Sequence, residues 1–384
     1  MLPPIQMVDV KTQYEQIQQE VDASVLEVIR SGAFINGPAV KDFQAGLETY
    51  LRCAHVIPCA NGTDALQIAL MALGLKPGDE VIVPAFTYVA SAEVIALLGL
   101  SPVMVDVDPY TFNVTAEHIE PAITERTRAI IPVHLFGQSC DMEPIRDLAA
   151  RHELFIVEDN AQAIGAEYTF SDQTVRRTGT IGDIGCTSFY PSKNLGAYGD
   201  GGAINTDDDQ LADNLRRVAN HGQNRRYYHD VVGVNSRLDS MQAAILNCKL
   251  PHLDDYNRRR REAAAYYDAR LTGIDGLLVP ARLPASTHVF HQYTLRVADD
   301  RRDALQRHLQ EAGVPSMVYY PVPLYDQAAF RGTAANKIEH LPVTDQLCRE
   351  VISLPMHSEL TADALAHICG AVEKFFGKDT GTRA

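Results

Sequence analysis

Short apolar runs alternate with amphipathic helical patterns along the first part of the chain. The runs are four to six residues long and carry few charges, which predicts buried β-strands. Between them, apolar residues spaced three and four apart predict helices. The predicted strands are His55–Pro58, Glu80–Pro84, Pro102–Val107, Ala129–Val133 and Leu154–Val157. The predicted helices are Gln13–Ile29, Val40–Leu51, Asp64–Leu73, Ala90–Leu98 and Glu143–Ala150.

Strands that alternate with helices predict an α/β fold with a largely parallel sheet covered on both faces. A functional site is then expected at the carboxyl ends of the strands. This expectation directs attention to the residues that directly follow each apolar run.

The pattern changes after about residue 240. Residues Ser240–Leu271 predict a long helix broken at Pro251. The remainder mixes predicted strands and helices, which indicates a smaller α+β unit. We therefore expect a large α/β domain over residues 1–250 and a small domain over residues 251–384. The later strands are expected at His291–Val297 and Ser316–Val318, and the later helices at Arg302–Glu311 and Thr361–Phe375.

The composition narrows the function classes. The 384 residues, 46% of them apolar, suffice for a sizeable core. The net charge is 34 − 49 = −15, which argues against nucleic acid and anionic membrane surfaces as partners. The seven cysteines show no zinc-type or paired spacing, so we expect free thiols in a reducing compartment. Because zinc-type spacing is missing, we also expect no metal site. With no signal-peptide pattern at the N-terminus, we expect a cytoplasmic protein.

The first motif is the run 59–66, CANGTDAL, which follows a strand and opens a helix. Gly62 permits a tight turn, and Thr63 and Asp64 can cap the helix. Free N–H groups at a helix start, with a threonine hydroxyl, can bind a phosphate. An ordinary helix cap without a ligand is the alternative.

The second motif is the run 157–163, VEDNAQA, after the strand Leu154–Val157. Asp159 would lie at the site edge of the sheet, where it could bind a metal, act as a base or hold a heterocyclic N–H. A helix cap is again the alternative.

The third motif is the run 188–202, SFYPSKNLGAYGDGG. Lys193 is one of only eight lysines against 26 arginines, and it lies between an apolar segment and a glycine-rich turn. A lysine in an apolar site has a lowered pKa and can form a Schiff base. A loop lysine beside a turn is the alternative. Together, the three motifs match the needs of pyridoxal 5′-phosphate, which requires a phosphate site, an acid at its ring nitrogen and a lysine for its aldehyde.

These motifs also resemble the DegT/StrS-type nucleotide-sugar aminotransferases, from about Ile5 to Ala371. The matching runs are CANGTDAL, PAFTYVA, EDNAQAIGA, SFYPSKNLGAYGDGGAI, GVNSRLDSMQAAIL, HQYTLR, YYPVPLY and SLPMH. The resemblance implies the fold type I of pyridoxal-phosphate aminotransferases, with a mainly parallel, seven-stranded type of sheet and a small C-terminal α+β domain.

The resemblance also implies residue roles. Lys193 would form the Schiff base and carry the proton, and Asp159 would pair with the pyridinium nitrogen. The other cofactor-binding residues would be Gly62, Thr63, Asp64, Tyr88, Gln162, Ser188 and, from the neighbouring subunit of a homodimer, Asn235. The substrate-binding residues would be Arg225, Arg226, Arg237, Tyr319 and Tyr320.

For the substrate, the resemblance implies amination at carbon 3 of a UDP-2-acetamido-3-keto sugar, specifically a hexuronate. The run 235–239, NSRLD, is similar to carbon-3 members, and Arg225 and Arg226 lie in a run similar to the uronate subgroup. Close relatives often carry histidine where this chain has Tyr319, which removes a possible positive charge, so a less acidic sugar is the alternative to the uronate. A solvated loop is the alternative for the two arginines.

The implied reaction is a ping-pong transamination with L-glutamate as donor and a keto-sugar nucleotide as acceptor. Amination of a dTDP-3-keto-6-deoxyhexose or of a non-nucleotide cyclic ketone is an alternative acceptor chemistry. A cofactor-binding sensor without turnover is the alternative from another class. It would not need the proton-transfer residue Lys193.

Other chemistry-bearing residues receive structural interpretations. His134 is expected to be packed and hydrogen-bonded. The run Arg258–Arg261 is expected to be a solvated helix face or a subunit contact. The run Asp207–Asp209 is expected at a helix N-terminus.

Overall fold

A computed structural model describes residues 3–330 and 340–377. Fourteen strands and twelve α-helices are named within these ranges. The strands are β1 (His55–Cys59), β2 (Glu80–Pro84), β3 (Ser101–Val105), β4 (Thr127–Ile130), β5 (Phe155–Asp159), β6 (Glu167–Thr169), β7 (Val175–Arg177), β8 (Ile184–Ser188), β9 (Gly202–Thr206), β10 (Gln223–Arg225), β11 (Tyr228–His229), β12 (Leu277–Leu278), β13 (Tyr293–Val297) and β14 (Val351–Leu354). The helices are α1 (Val10–Ser31), α2 (Pro38–Leu51), α3 (Gly62–Ala72), α4 (Ala90–Leu97), α5 (Ala116–Ile119), α6 (Met142–Arg151), α7 (Asp209–Ala219), α8 (Ser240–Lys249), α9 (Leu253–Leu271), α10 (Arg302–Glu311), α11 (Pro342–Glu350) and α12 (Ala362–Phe375).

A seven-stranded sheet in the order β1-β9-β8-β5-β4-β2-β3 forms the centre of the large unit. Every neighbouring pair from β8 to β3 is parallel, and only β9 runs against its neighbours. The strands β2, β5 and β8 are buried along almost their whole length, because helices cover both faces of the sheet. The predicted α/β fold with a mainly parallel sheet is confirmed.

The C-terminal part has its own apolar core. It forms around the antiparallel sheet β12-β13-β14 and the helices α9, α10 and α12. The long helix predicted over 240–271 is broken as expected: α8 ends at Lys249, and a short 3-10 turn through Pro251 leads into α9. The division into domains 1–250 and 251–384 stays a prediction, and residues 331–339 and 378–384 of the second unit lie outside the described residues.

Of three further expectations, two need correction and one is confirmed. Residues 316–318 do not form a named strand: Met317 makes only an isolated bridge to Ser353. In the run Arg258–Arg261, Arg260 is buried and not solvated, because its guanidinium donates to three backbone carbonyls. Asp208 caps the N-terminus of α7 as expected, with its side chain accepting from Leu211 N.

Chemistry that the sequence left open can be checked over the described ranges. The seven cysteines all lie within these ranges, and none forms a disulfide bond. In residues 3–330 and 340–377, no helix has the length and apolar character that crossing a membrane requires. Over the same ranges, no cluster of histidine, cysteine, aspartate or glutamate is placed to hold a metal ion.

Candidate active site

A cavity of about 690 Å³ lies at the carboxyl ends of the parallel strands. The loops that follow β1, β2, β5 and β8 all contribute to its wall. It brings together nine residues that the sequence singled out: Gly62, Thr63, Tyr88, Asp159, Gln162, Ser188, Lys193, Tyr319 and Tyr320. The three motifs therefore meet in one place, at the edge of the sheet where the topology predicts a site.

The start of α3 forms one end of the cavity. Asn61 caps the helix by accepting from Asp64 N at 2.8 Å. The N–H groups of Gly62 and Thr63 belong to the first turn, where the helix itself offers them no acceptor. A β-carbon on Gly62 would lie only 2.7 Å from Ser188 Cβ, so glycine lets the helix start approach the end of β8. Backbone donors and two hydroxyls suit a phosphate at this end.

Asp159 is the last residue of β5 and is 6% exposed. Ser91 Oγ donates to its Oδ2 at 2.7 Å, and Ala161 N donates to its Oδ1 at 3.1 Å. These two bonds fix the carboxylate and leave about half of its acceptor capacity unused. The free capacity can take a heterocyclic N–H or another donor from a bound ligand.

Lys193 lies in the turn after β8, with its backbone N–H bonded to Tyr190 O at 2.8 Å. Its side chain is partly accessible from the cavity. Burial lowers the pKa of Lys193 to about 8, and the negative charge of Asp159 partly opposes that effect. About a tenth of the amine is therefore uncharged and nucleophilic at pH 7, far more than for an ordinary lysine.

The loop that carries Lys193 is held by the helices α8 and α9. Asn194 Nδ2 donates to Asn257 Oδ1 of α9 at 2.7 Å. Lys249 Nζ, at the end of α8, donates to Gly196 O at 2.5 Å from a fully buried position. These bonds fix the backbone on which the reactive amine is mounted.

An amide and two aromatic rings line the opposite wall. Gln162 Oε1 accepts from Phe136 N at 2.6 Å, while its Nε2 donates to Tyr320 Oη at 3.3 Å. The ring centroids of Tyr88 and Tyr320 are 6.3 Å apart, and the Tyr88 side chain is 57% exposed. Burial raises the pKa of Tyr320, so its hydroxyl keeps its proton. Tyr88 thus offers an open aromatic face for a planar ligand.

Glu158 precedes Asp159 but points to the interior behind the cavity. It accepts from His134 Nε2 at 2.7 Å and from the backbone N–H groups of Gly179, Ile181 and Gly182. Burial acts to raise the pKa of Glu158, but these hydrogen bonds outweigh it and lower the value. His134 is fully buried, and the prediction that it is packed and hydrogen-bonded is confirmed.

Five predicted site residues do not line the cavity of their own chain: Asp64, Arg225, Arg226, Asn235 and Arg237. Arg225 and Arg226 lie on the hairpin β10–β11, where their guanidinium carbons are 3.8 Å and 5.1 Å from the ring centroids of Tyr228 and Tyr227. Their roles stay a prediction.

The cavity also contains residues that the sequence analysis did not single out. They include Asn61, Tyr190, Asp200, His291 and Gln292. Ser91, which fixes Asp159, was missed as well, because a serine inside a helix carries no recognisable signal. His291 and Gln292 begin the HQYTLR run, so a motif marked them but no chemistry was assigned.

The α/β fold brings a lysine and a strand-end carboxylate into one cavity, which suits a pyridoxal-phosphate enzyme. The sequence profile of the DegT/DnrJ/EryC1/StrS aminotransferase family matches residues 15–373. The chain belongs to this family, and it is an aminotransferase.

Three relatives illustrate the range of the family. The chain is 47% identical to a "pleiotropic regulatory protein" of Geobacillus stearothermophilus, over 97% of this chain and 98% of that protein. It is 46% identical to the UDP-2-acetamido-2-deoxy-3-oxo-D-glucuronate aminotransferase of Pseudomonas aeruginosa, over 96% and 99%. It is 44% identical to the UDP-N-acetyl-3-dehydro-alpha-D-glucosamine 3-aminotransferase of Acidithiobacillus ferrooxidans, over 96% and 97%.

Among solved structures, the fold is similar to that of DesV of S. venezuelae. The two chains superimpose with a TM-score of 0.93 at 41% sequence identity, and the match covers 98% of this chain and 99% of the other. The similarity therefore extends over both units of the protein.

Proposed function

We propose that the protein transfers the amino group of L-glutamate to carbon 3 of a UDP-linked 2-acetamido-3-keto sugar, specifically a uronate. One observation carries the proposal: Lys193, Asp159 and the open first turn of α3 share a single cavity. The names of two relatives, which act on UDP-linked 3-keto sugars, support the acceptor.

We infer that the cavity holds pyridoxal 5′-phosphate. The N–H groups of Gly62 and Thr63, with the hydroxyl of Ser188, would bind its phosphate, and Tyr88 would stack on its ring. The fit is supported by the glycine at position 62, where a β-carbon would fill the space against Ser188. When bound, this cofactor supplies an electron sink for the carbon that loses or gains the amino group.

Lys193 is proposed to hold the cofactor at its amine and then, once displaced by the donor, to move the proton. The lowered pKa of Lys193, about 8, supports this role, because the free amine can both take and return a proton near neutral pH. Its fixed loop keeps the amine close to the reacting carbons, so one group can serve both half-reactions.

Asp159 and Gln162 are proposed to orient the cofactor ring. Asp159 would accept from the ring N–H with the capacity that Ser91 and Ala161 leave free. Gln162 would lie beside the ring's phenolic oxygen, held by its bonds to Phe136 and Tyr320. Both side chains are fixed before any ligand enters, which favours a preorganised site.

We further propose a homodimer in which each subunit completes the other's site. Asn235 and Arg237 do not line the cavity of their own chain, as expected of residues that act across an interface. Phe34 and Ile35 lie beside the segment 235–240 and are about half exposed. Phe34 O accepts from Ser240 N, and Ile35 forms an isolated β-bridge with Asp239. Exposed apolar side chains of this kind are typical of a contact surface. Arg225 and Arg226 would then supply positive charge for the diphosphate or the carboxylate.

The assignment is tested with the purified protein, pyridoxal phosphate and L-glutamate. We expect a visible absorption band that bleaches on addition of L-glutamate, with release of 2-oxoglutarate. A panel of keto-sugar nucleotides should then restore the band, most rapidly with the UDP-linked 3-keto uronate. Failure of every sugar would contradict the acceptor, and a band that ignores glutamate would favour a sensor. A location in the cytoplasm also stays a prediction, supported by seven cysteines that form no disulfide bond.

A further inference from the structure

Three buried histidines lie in the C-terminal half of the chain, and they differ in what surrounds their rings. His288 stacks on Phe290 with 3.7 Å between ring centroids, and its Nδ1 accepts from Phe290 N at 3.0 Å. His357 accepts from Glu359 N at its Nδ1. His291 lines the cavity that contains Lys193, whereas the other two do not.

His291 has an unused hydrogen-bonding atom. The residue is 4% exposed, and its Nδ1 is buried without a partner among the residues that the structure describes. An orphaned polar atom in a protein interior costs free energy, so it calls for a physical explanation. Its place in the wall of the cavity suggests a partner that arrives there during turnover.

The backbone around His291 is fixed on three sides. Val289 N donates to Gly137 O at 2.8 Å, and Gln292 N donates to Phe136 O at 3.2 Å. The buried Arg260 donates to Phe290 O at 3.0 Å and to His291 O at 3.4 Å. The backbone that carries the ring is therefore held by the loop after β4 and by α9.

The same segment is bonded to the residue that follows Lys193. Asn194 Nδ2 donates to Val289 O at 2.9 Å as well as to Asn257. The loop of the reactive amine and the segment of His291 thus keep a fixed relation to each other. A flexible lysine side chain can cross the space between them while both backbones stay still.

The ring of His291 is uncharged over the pH range in which aminotransferases work. Burial, the positive charge of Lys193 and the positive charge of Arg260 all lower its pKa well below the usual value. An uncharged imidazole has one nitrogen that accepts a hydrogen bond. The other ionisable residues of the cavity wall are Asp159, Asp200 and the tyrosines 88, 190, 319 and 320.

We propose that His291 is a positioning residue for Lys193, whose ring accepts a hydrogen bond from the Lys193 ammonium while that amine is detached and carries the proton. The inference rests on the proposed function, because the amine is detached from the cofactor only when an amino donor displaces it during turnover. Asp159 cannot serve the ammonium in the same way when its remaining acceptor capacity is occupied by a ligand. His291 stabilises the charged amine between the removal of the proton and its return.

The test compares His291→Leu and His291→Asn with His357→Leu. Leucine removes the acceptor, asparagine keeps one in a similar volume, and His357 is an equally buried histidine with an unpartnered nitrogen away from the cavity. The cofactor-free proteins are labelled with acetic anhydride over neutral to alkaline pH. Acetylation of the Lys193 peptide, followed by mass spectrometry, gives the pKa of the amine without any activity measurement.

We expect His291→Leu to lower the labelling pKa of Lys193 by about one unit, since the ammonium loses a hydrogen bond to it. In the cofactor-loaded enzyme, kcat should fall about tenfold with little change in KM. His291→Asn should keep most of both values, and His357→Leu should leave the labelling pKa unchanged. If the leucine variant does not fold, His291→Ala replaces it and should lower the labelling pKa of Lys193 in the same way.

Two results would overturn the proposal: an unchanged labelling pKa in His291→Leu, or an equal shift in His357→Leu. These outcomes are distinguishable from failure of the proposed function. If the proposed function is wrong, the wild-type protein itself would form no visible band with pyridoxal phosphate. The labelling pKa of Lys193 can still be measured in that protein.

Discussion

Two neighbouring carboxylates at the end of β5 have opposite surroundings. Glu158 points into the interior and accepts four hydrogen bonds, from His134 and three backbone N–H groups. Asp159 points into the cavity and accepts two, from Ser91 and Ala161. A carboxylate has about four acceptor positions, so the protein saturates one group and leaves the other half free.

The comparison teaches how a strand can serve stability and chemistry at once. Successive side chains of a strand point to opposite sides, so adjacent residues can face a sealed interior and an open site. The saturated group holds the loop 179–182 against the sheet. The unsaturated group keeps capacity for a ligand. Variants on the cavity side should therefore change turnover, and variants on the interior side should change stability.

The largest effect is expected for Lys193→Ala. Turnover should fall by roughly ten-thousandfold or more, because both the covalent attachment and the proton transfer lose their only group. The unfolding midpoint should stay close to that of the wild type. Release of 2-oxoglutarate and urea unfolding measure the two quantities, and the exposed Lys76→Ala serves as the control. Normal turnover in Lys193→Ala would refute the assignment of this residue.

Asp159→Asn should come next. The amide cannot carry the negative charge that favours a protonated ring nitrogen, so both half-reactions should slow by roughly a hundredfold to a thousandfold. The bond from Ser91 can persist, so stability should change by less than about 1 kcal/mol. Single-turnover bleaching and recovery of the visible band measure each half-reaction. Unchanged rates would show that Asp159 does not contact the cofactor ring.

Glu158→Gln should show the opposite pattern. The amide nitrogen replaces one oxygen and would face either His134 Nε2 and Gly179 N or the N–H groups of Ile181 and Gly182, so the free energy of unfolding should fall by about 3 kcal/mol. The folded fraction should keep its rate within about tenfold. Urea unfolding beside Asp159→Asn gives the direct contrast. Equal stability of Glu158→Gln and Asp159→Asn would contradict the conclusion that Glu158 serves stability and Asp159 serves turnover.

A smaller effect, dependent on pH, is expected from His357. Burial and Arg260 lower the pKa of this histidine to about 4, with Asp9 partly opposing them. In the unfolded chain His357 takes up a proton near pH 6.5, whereas in the native protein it stays uncharged until about pH 4. Its contribution to the free energy of unfolding is therefore fully present above about pH 6.5 and is lost as the pH falls toward 4. Between about pH 7 and about pH 5 the loss should be about 2 kcal/mol. His357→Gln should show a correspondingly weaker pH dependence in urea unfolding, and an identical dependence would contradict the assignment.

Local patterns predicted the elements that form the sheet, but not their order. The runs at β1, β2 and β5 are contiguous and apolar, and the structure places strands there within two residues. The insertion of β9 between β1 and β8, antiparallel to both, depends on contacts between distant segments that periodicity does not encode. Residues 316–318 failed as a strand because an apolar run without a neighbouring ladder forms only the bridge at Met317.

The candidate site was predictable where a residue type is unusual for its position. Lys193 in an apolar segment and Asp159 at a strand end carry such a signal, and both line the cavity. Ser91 carries none, because its importance comes only from its bond to Asp159. The run of four arginines predicted a solvated face or a subunit contact, but Arg260 is buried because it binds carbonyls from the distant residues 290, 291 and 356.

The bonds of α9 determine where this chain can be recombined with its relatives. Asn257 joins Asn194 and Ile164 O, and Arg260 joins the carbonyls near His291 and Met356. A chimera with its crossover at residue 250 would therefore pair a reactive-lysine loop from one parent with anchors from another. A crossover after Leu271 would inherit the loop together with Asn257, while the carbonyl of Val289 that Asn194 also binds would come from the other parent. Shuffling of acceptor specificity between family members is thus best confined to segments that leave α8 and α9 with their own cavity.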